Sequence, residues 1–238
     1  MSIEVYPDAD ALAVAVAERL TGRLALLQAG GRRPSVVLTG GSIATETYQH
    51  LGSVDLDGAQ VDWAGIDFYW GDERFVPGGD ADRNDQQAHD AFLARLDVPA
   101  DRIHATPVDD GALSATEAAE SYAADLPDDP FDVVLLGLGP DGHVASLFPG
   151  FDQLEETQRR TVEVFDSPKP PPIRISMTFP TLNHADSVWF VVSGEGKADA
   201  VARALGDGTV QDTPAVAVRG TTETVWLLDQ AAARGVSP

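Results

Sequence analysis

Short uninterrupted apolar runs alternate along the chain with segments whose apolar residues recur every three or four positions. Leu12, Val16, Leu20 and Leu24 form one helical stripe, which predicts a packing helix over 9–29 with Asp8 or Asp10 as its cap. Gly30-Gly31 ends it, and the run 35–38 predicts a first buried strand entering Thr39-Gly40-Gly41-Ser42. A helix over 43–51, a buried strand over 66–70 and a helix over 86–96 follow. The segment 112–126 reads as an amphipathic helix, with Ser114 and Glu117 in capping-box spacing. The run Val133-Val134-Leu135-Leu136 predicts a strand buried on both faces. Gly137 and Gly139 break it, and 144–147 reads as a short helix stopped by Pro149-Gly150. Beyond a polar stretch at 155–161, strands are expected over 174–178, 187–192 and 224–228, with a helix over 198–205. Strands alternating with helices in this way predict an α/β fold.

Composition narrows the possibilities. A chain of 238 residues that is 43% hydrophobic can bury a substantial core, and without linker, repeat or low-complexity tract a single domain over 1–238 is expected. Cysteine is absent, which excludes a disulfide framework, a thiolate nucleophile and a Cys-based metal site. No basic-then-apolar leader and no run of about eighteen apolar residues occurs, so a cytoplasmic location is the default expectation. The formal net charge is −22, from 38 acidic and 16 basic residues; such a surface repels nucleic acid and anionic membrane, and neither is expected as a partner. The acids are mostly Asp and the lysines are two, Lys169 and Lys197, a balance that suits either a high-salt cytoplasm or an acidic protein of a mesophile. Any anion site must then work against the global field, which gives weight to each Arg or Lys near a strand end. Pro168-Lys169-Pro170-Pro171-Pro172 reads as a stiff surface loop.

Four strand ends carry chemistry. A strand, a Gly-Gly-Ser turn and a helix are either a tight βα connection or a phosphate cradle of free amides at a helix N-terminus. Neither the P-loop pattern nor G-x-G-x-x-G is present, so ATP and nicotinamide cofactors lose support. Asp72-Glu73-Arg74 leaves the second strand: Arg74 could pair with its neighbours on the surface, or fork onto phosphate while Asp72 orients hydroxyls or water. Asp141-Gly142-His143 stands beyond the central strand, at the edge where open α/β sheets bind ligands. There His143 is either a loop residue capping backbone groups or a base that titrates near working pH, with Asp141 holding its tautomer. Lys197 lies at a strand-to-helix turn, where an anion contact is weighed above a helix-start Lys that the dipole disfavours. No G-x-S-x-G elbow occurs, Ser146 reads as packing or helix-start filler, and His50, His89, His104 and His184 lack ligand spacing, so no metal is expected.

The string from Leu136 to Pro149, LGLGPDGHVASLFP, together with Gly40-Gly41-Ser42, 72–77 (DERFVP), Arg174-Ile175-Ser176 and Gly196-Lys197, resembles the 6-phosphogluconolactonase family over nearly the whole chain. That resemblance implies a three-layer αβα sandwich around a mainly parallel sheet, and hydrolysis of 6-phosphoglucono-δ-lactone in the oxidative pentose phosphate pathway without cofactor or metal. It implies His143 as base with Asp141 beside it, and substrate contacts from Gly40, Gly41, Ser42, Asp72, Arg74, Arg174 and Lys197. Two departures are visible: Ile43-Ala44 replace the usual Thr-Pro, removing a hydroxyl from the cradle, and Arg83 replaces the usual Ser before Asn84. A glucosamine-6-phosphate deaminase or aldose-ketose isomerase, and a non-catalytic sugar-phosphate sensor, are the alternatives. Deaminases place an acidic residue five positions after the His, where this chain has Phe148, and a sensor would be expected to lose Asp-Gly-His.

Overall fold

The computed structural model describes residues 1–53 and 60–236. In chain order the elements are β1 (Ser2–Tyr6), α1 (Ala9–Ala29), β2 (Ser35–Leu38), α2 (Ser42–His50), β3 (Asp67–Trp70), β4 (Asp72–Arg74), α3 (Asn84–Ala88), β5 (Ile103–His104), α4 (Ala115–Asp125) and β6 (Phe131–Leu136). There follow β7 (Thr161–Val164), β8 (Arg174–Met177), α5 (Phe179–Leu182), β9 (Ala185–Val192), α6 (Ala198–Leu205) and β10 (Glu223–Asp229). Seven strands make one sheet in the order β1-β10-β9-β6-β2-β3-β5, every neighbouring pair parallel. From β2 the chain winds outward through β3 to β5, then returns to the other side of β2 as β6 and winds the opposite way. The reversal lies between β2 and β6, paired at Val36 with Val133 and Val37 with Val134, and it opens a crevice at their carboxyl ends.

Each central strand sends alternate side chains to opposite layers, as a parallel sheet covered on both faces requires. Val133 and Leu135 of β6, Trp189 and Val191 of β9, and Val225 and Leu227 of β10 pack with Leu12, Val16, Leu20 and Leu24 of α1. Val134, Leu136, Phe190, Trp226 and Leu228 face the layer that holds Ala118, Ala119 and Tyr122 of α4 and Val201 of α6. The three-layer αβα arrangement is therefore present. The caps are built as the sequence suggests: Asp8 accepts from the Ala11 N–H, and Ser114 and Glu117 form a reciprocal capping box.

Several local expectations are revised. The 144–147 segment is not a helix but a tight turn closed by Leu147 N–H to Val144 O at 2.9 Å, with Ala145 at φ 51°. Four residues ahead of a Pro-Gly stop are too few to offset helix nucleation, whereas the turn buries Val144 and Leu147 completely. The helix expected over 86–96 begins at Asn84 and becomes a π-helical turn over His89–Leu93. Strand β8 joins not the main sheet but a small antiparallel sheet, β4-β8-β7, in which Arg74 stands opposite Arg174. Edge strand β1 was not anticipated.

Two buried tyrosines hold the strand ends that reach the crevice. The Tyr48 hydroxyl of α2 donates to Thr39 O at 2.8 Å and accepts from Thr39 N–H at 3.0 Å, just beyond β2. Tyr122 of α4 does the same for the last residue of β3, donating to Trp70 O at 2.9 Å and accepting from Trp70 N–H at 2.8 Å. Burial pushes both phenols up, so both stay protonated and able to donate. Tyr48→Phe leaves two buried backbone groups at Thr39 without partners and is expected to cost about 1–3 kcal/mol, read as a lower denaturation midpoint with an unchanged m-value. An unchanged midpoint would show that the hydroxyl does not hold the strand end.

Candidate active site

The crevice is lined by Thr39, Gly40 and Gly41 beyond β2, by Asp72 and Arg74 of β4, and by Gly137, Leu138 and Gly139 beyond β6. His143, Ala145, Phe148, Asn84, Lys169, Arg174 and Lys197 complete it. Of the residues expected from sequence, Gly40, Gly41, Asp72, Arg74, His143, Arg174 and Lys197 thus meet in one cleft. Asp141 stands behind His143. Ser42 heads α2 and lines a shallower groove next to the cleft, shared with Gly41 and Arg74.

The imidazole of His143 is fixed from two sides. Its Nδ1 lies 2.6 Å from Asp141 Oδ1, which also accepts the His143 backbone N–H at 3.2 Å, and its ring packs on Phe148 with centroids 4.6 Å apart. Burial pushes the Asp141 carboxyl up, but its bonds to the imidazole and to backbone N–H groups prevail and hold it at about 2. A carboxylate on Nδ1 selects the tautomer with the proton there, which leaves the Nε2 lone pair as the basic site. Gly139 makes the pair possible: a Cβ on it would lie 2.0 Å from His143 Nδ1 and 2.4 Å from Asp141 Oδ1.

The opposite wall is held by neutral groups and one buried acid. Asn84 Nδ2 donates to Asp72 O at 2.8 Å, while its Oδ1 accepts from Arg74 Nη1. A Cβ on Gly40 would lie 1.8 Å from that Oδ1, so only glycine lets Asn84 reach Arg74. Beneath them the Glu73 carboxylate accepts the backbone N–H groups of Arg74, Asn84 and Asp85 at 2.7–2.9 Å. Burial pushes Glu73 up to about 7 against the opposing pull of Arg83. Arg83 is wholly buried, forks onto Asp85 at 2.8 and 3.0 Å and donates to Thr106 O at 2.8 Å. This departure from the family pattern therefore braces the loop from behind, and the neighbouring Asn84 is the residue that meets the cleft. Asp72 accepts from Ser146 Oγ at 2.6 Å through Oδ2, so Ser146 is more than filler; its Oδ1 has one long contact, 3.5 Å from Asn84 Nδ2.

Four cations line the cleft, and none forms an ion pair among the described residues. Lys197 Nζ donates to Leu138 O at 2.5 Å; burial, and then the charge of Lys169, lower its pKa. Arg174 donates to backbone carbonyls, and burial followed by the charge of Arg74 lowers its pKa. The Arg74 Nε–H is buried without an acceptor among the described residues. Sequence reasoning placed Lys169 in a surface loop and left Asn84 without a role. The signal that pointed to Lys169 was its rarity, since both lysines of the chain line this cleft. Among the described residues no group of three His, Asp or Glu is placed to hold a metal ion, and no helix is long and apolar enough to cross a membrane.

An open parallel sheet with this cleft at its switch point defines an α/β protein whose crevice brings one imidazole together with four cationic side chains that form no ion pair among the described residues. The chain belongs to the family described as glucosamine-6-phosphate isomerases/6-phosphogluconolactonase, whose model matches residues 7–226. It is 41% identical over 242 residues to the 6-phosphogluconolactonase of Mycobacterium tuberculosis, covering 98% of this chain and 97% of that protein. It is 44% identical to that of Streptomyces coelicolor, covering 96% and 92%. Among solved structures, the 6-phosphogluconolactonase of Trypanosoma brucei superposes with a TM-score of 0.86 at 29% identity, covering 99% of this chain and 98% of that one.

The depressed Asp141 has a consequence in acid. Its folded-state pKa of about 2 lies below the ordinary ~3.9, so the stability it contributes is present above about pH 4 and is lost as pH falls through about 2. Asp141→Asn is expected to flatten the dependence of Tm on pH between 4 and 2 relative to the unaltered chain. Identical curves would show that the pair is not linked to folding.

Proposed function

We propose that the chain hydrolyses 6-phosphoglucono-δ-lactone to 6-phosphogluconate, the second step of the oxidative pentose phosphate pathway, with His143 as general base. The observation that carries this reading is the pairing of a carboxylate-oriented imidazole with cations that form no ion pair among the described residues, in one cleft of a chain whose net charge is −22. Phe148 supports hydrolysis over deamination: it packs an apolar ring on His143 at the position where deaminases of this family place an acid.

In this reading His143 Nε2 takes a proton from water as the water oxygen bonds to the lactone carbonyl carbon, and the carbonyl electron pair moves onto its oxygen. Of the backbone N–H groups in this turn, those of Gly139, Gly142 and His143 are spent on His143 O, Gly139 O and Asp141 Oδ1. Those of Gly137 and Leu138 have no acceptor among the described residues and are assigned to the oxyanion, a contribution of order 2.7–4 kcal/mol per donor. Collapse of the intermediate breaks the bond to the ring oxygen, which receives the proton from Nε2, and the new carboxylic acid ionises. The Gly40-Gly41 amides with Arg74 and Lys197 hold the phosphate, with Arg174 bracing the cleft from β8, and this remote binding energy orients the lactone. Asp72 accepts from a sugar hydroxyl. A location in the cytoplasm is part of the same proposal.

The test is proton release from freshly made 6-phosphoglucono-δ-lactone, corrected for spontaneous hydrolysis. The unaltered chain is expected to accelerate it, and His143→Ala to lose about 10²–10⁴-fold in kcat while keeping its fold. No acceleration by the unaltered chain at either low or high salt would overturn the activity. Full activity in His143→Ala would overturn the assignment of the base.

A further inference from the structure

We propose that Lys169 recognises the phosphate of the substrate and that Arg174 positions it, by gripping the proline-rich loop 168–172 on which it stands. This rests on the lactonase reading for the identity of the ligand, though not for the geometry.

Among the described residues the loop holds itself through Ser167 at its edge. Four of its five residues are proline and cannot donate, and the Ser167 N–H closes it by donating to Pro172 O at 2.9 Å. Ser167 Oγ donates to Lys169 O at 3.1 Å, and the remaining side-chain bonds to the loop carbonyls come from one buried residue. Arg174 Nε donates to Pro171 O at 2.8 Å and Nη2 donates to Lys169 O at 3.0 Å, with Pro170 O at 3.5 Å. Arg174 begins β8 and stands opposite Arg74 in the small sheet, so the loop is referenced to the same wall that carries Arg74. A guanidinium that spends Nε and Nη2 on backbone carbonyls is placing a loop, and the ammonium that the loop delivers is the one that remains uncommitted.

That ammonium is not placed for the resting protein. Lys169 lines the cleft and makes no ion pair among the described residues, although the chain has 38 acidic residues to offer. Its charge instead bears on Lys197 across the cleft. Two like charges brought together in a partly buried cleft repel, and a phosphate monoester, carrying about −1.5 to −2 at neutral pH, reverses the sign of the interaction when it enters between them. Gain from such a ligand is specific to the phosphorylated substrate, which makes Lys169 a specificity-determining residue. Because Lys169 is exposed on a loop, its substitution leaves the core intact.

The experiment compares Lys169→Ala, Lys169→Arg, Arg174→Met and the double variant Lys169→Ala/Arg174→Met in the full chain, each checked by thermal melting. Inorganic phosphate binding by calorimetry is measured beside KM and kcat for 6-phosphoglucono-δ-lactone. Lys169→Ala is expected to weaken phosphate binding and raise KM about tenfold or more, with kcat within about threefold, and Lys169→Arg to restore most of the loss. Arg174→Met is expected to weaken phosphate binding in the unaltered background and to add little once Lys169 is gone. Phosphate affinity and KM within about twofold of the unaltered chain in Lys169→Ala would overturn the role of Lys169. An Arg174→Met loss that persists undiminished in the double variant would overturn positioning in favour of direct contact. A chain that binds phosphate through Lys169 yet hydrolyses no lactone would reject the lactonase reading and leave this inference standing.

Discussion

The site depends on holding positive side chains in place without neutralising them. In an acidic chain the easy partner for a buried or half-buried cation is a carboxylate, and Arg19, Arg83, Arg102 and Arg159 each take one. The cations of the cleft are treated differently. Lys197 donates to a backbone carbonyl, Arg174 to carbonyls of the proline-rich loop, and Arg74 to a side-chain amide oxygen. Neutral acceptors satisfy the donors and fix their direction, yet leave the charge available to an incoming anion. The depressed pKa values of Arg174 and Lys197 record the desolvation and mutual repulsion this arrangement entails.

The rest of the molecule supplies rigidity to that arrangement. The parallel sheet reverses its winding between β2 and β6, so two glycine-rich exits face each other across the crevice. Tyr48 and Tyr122 fasten the backbone beyond β2 and at the end of β3. Gly40 and Gly139 then bring side chains closer than any Cβ would permit, one placing Asn84 against Arg74 and the other placing Asp141 against His143. Glu73 ties three consecutive features together by collecting the amides of Arg74, Asn84 and Asp85. Each wall of the cleft is thus set by buried and half-buried hydrogen bonds whose loss leaves polar groups without partners.

What could be read from sequence follows from which interactions are local. The stripe of α1, the capping box of α4 and the apolar run of β6 are encoded within one element, and each was legible. The antiparallel sheet β4-β8-β7 joins segments about a hundred residues apart through short strands of mixed polarity, and nothing in 161–164 or 72–74 marks the pairing. The turn at 144–147 was read as a helix because its apolar residues suit either; the left-handed Ala145 and the contact of Ser146 with Asp72, 74 positions away, decide it. Most of the site lay in recognisable strings. Lys169 and Asn84 did not, because their placement depends on Arg174 and on the missing side chain of Gly40.

The central claim is that the cations and the imidazole address opposite ends of one substrate. A crystal structure of the complex with 6-phosphogluconate tests it most directly. The account predicts the phosphate among Gly40, Gly41, Arg74, Lys169 and Lys197, with the product carboxylate within hydrogen-bond distance of His143 Nε2. A phosphate seated against His143, or a product bound outside this cleft, would contradict it.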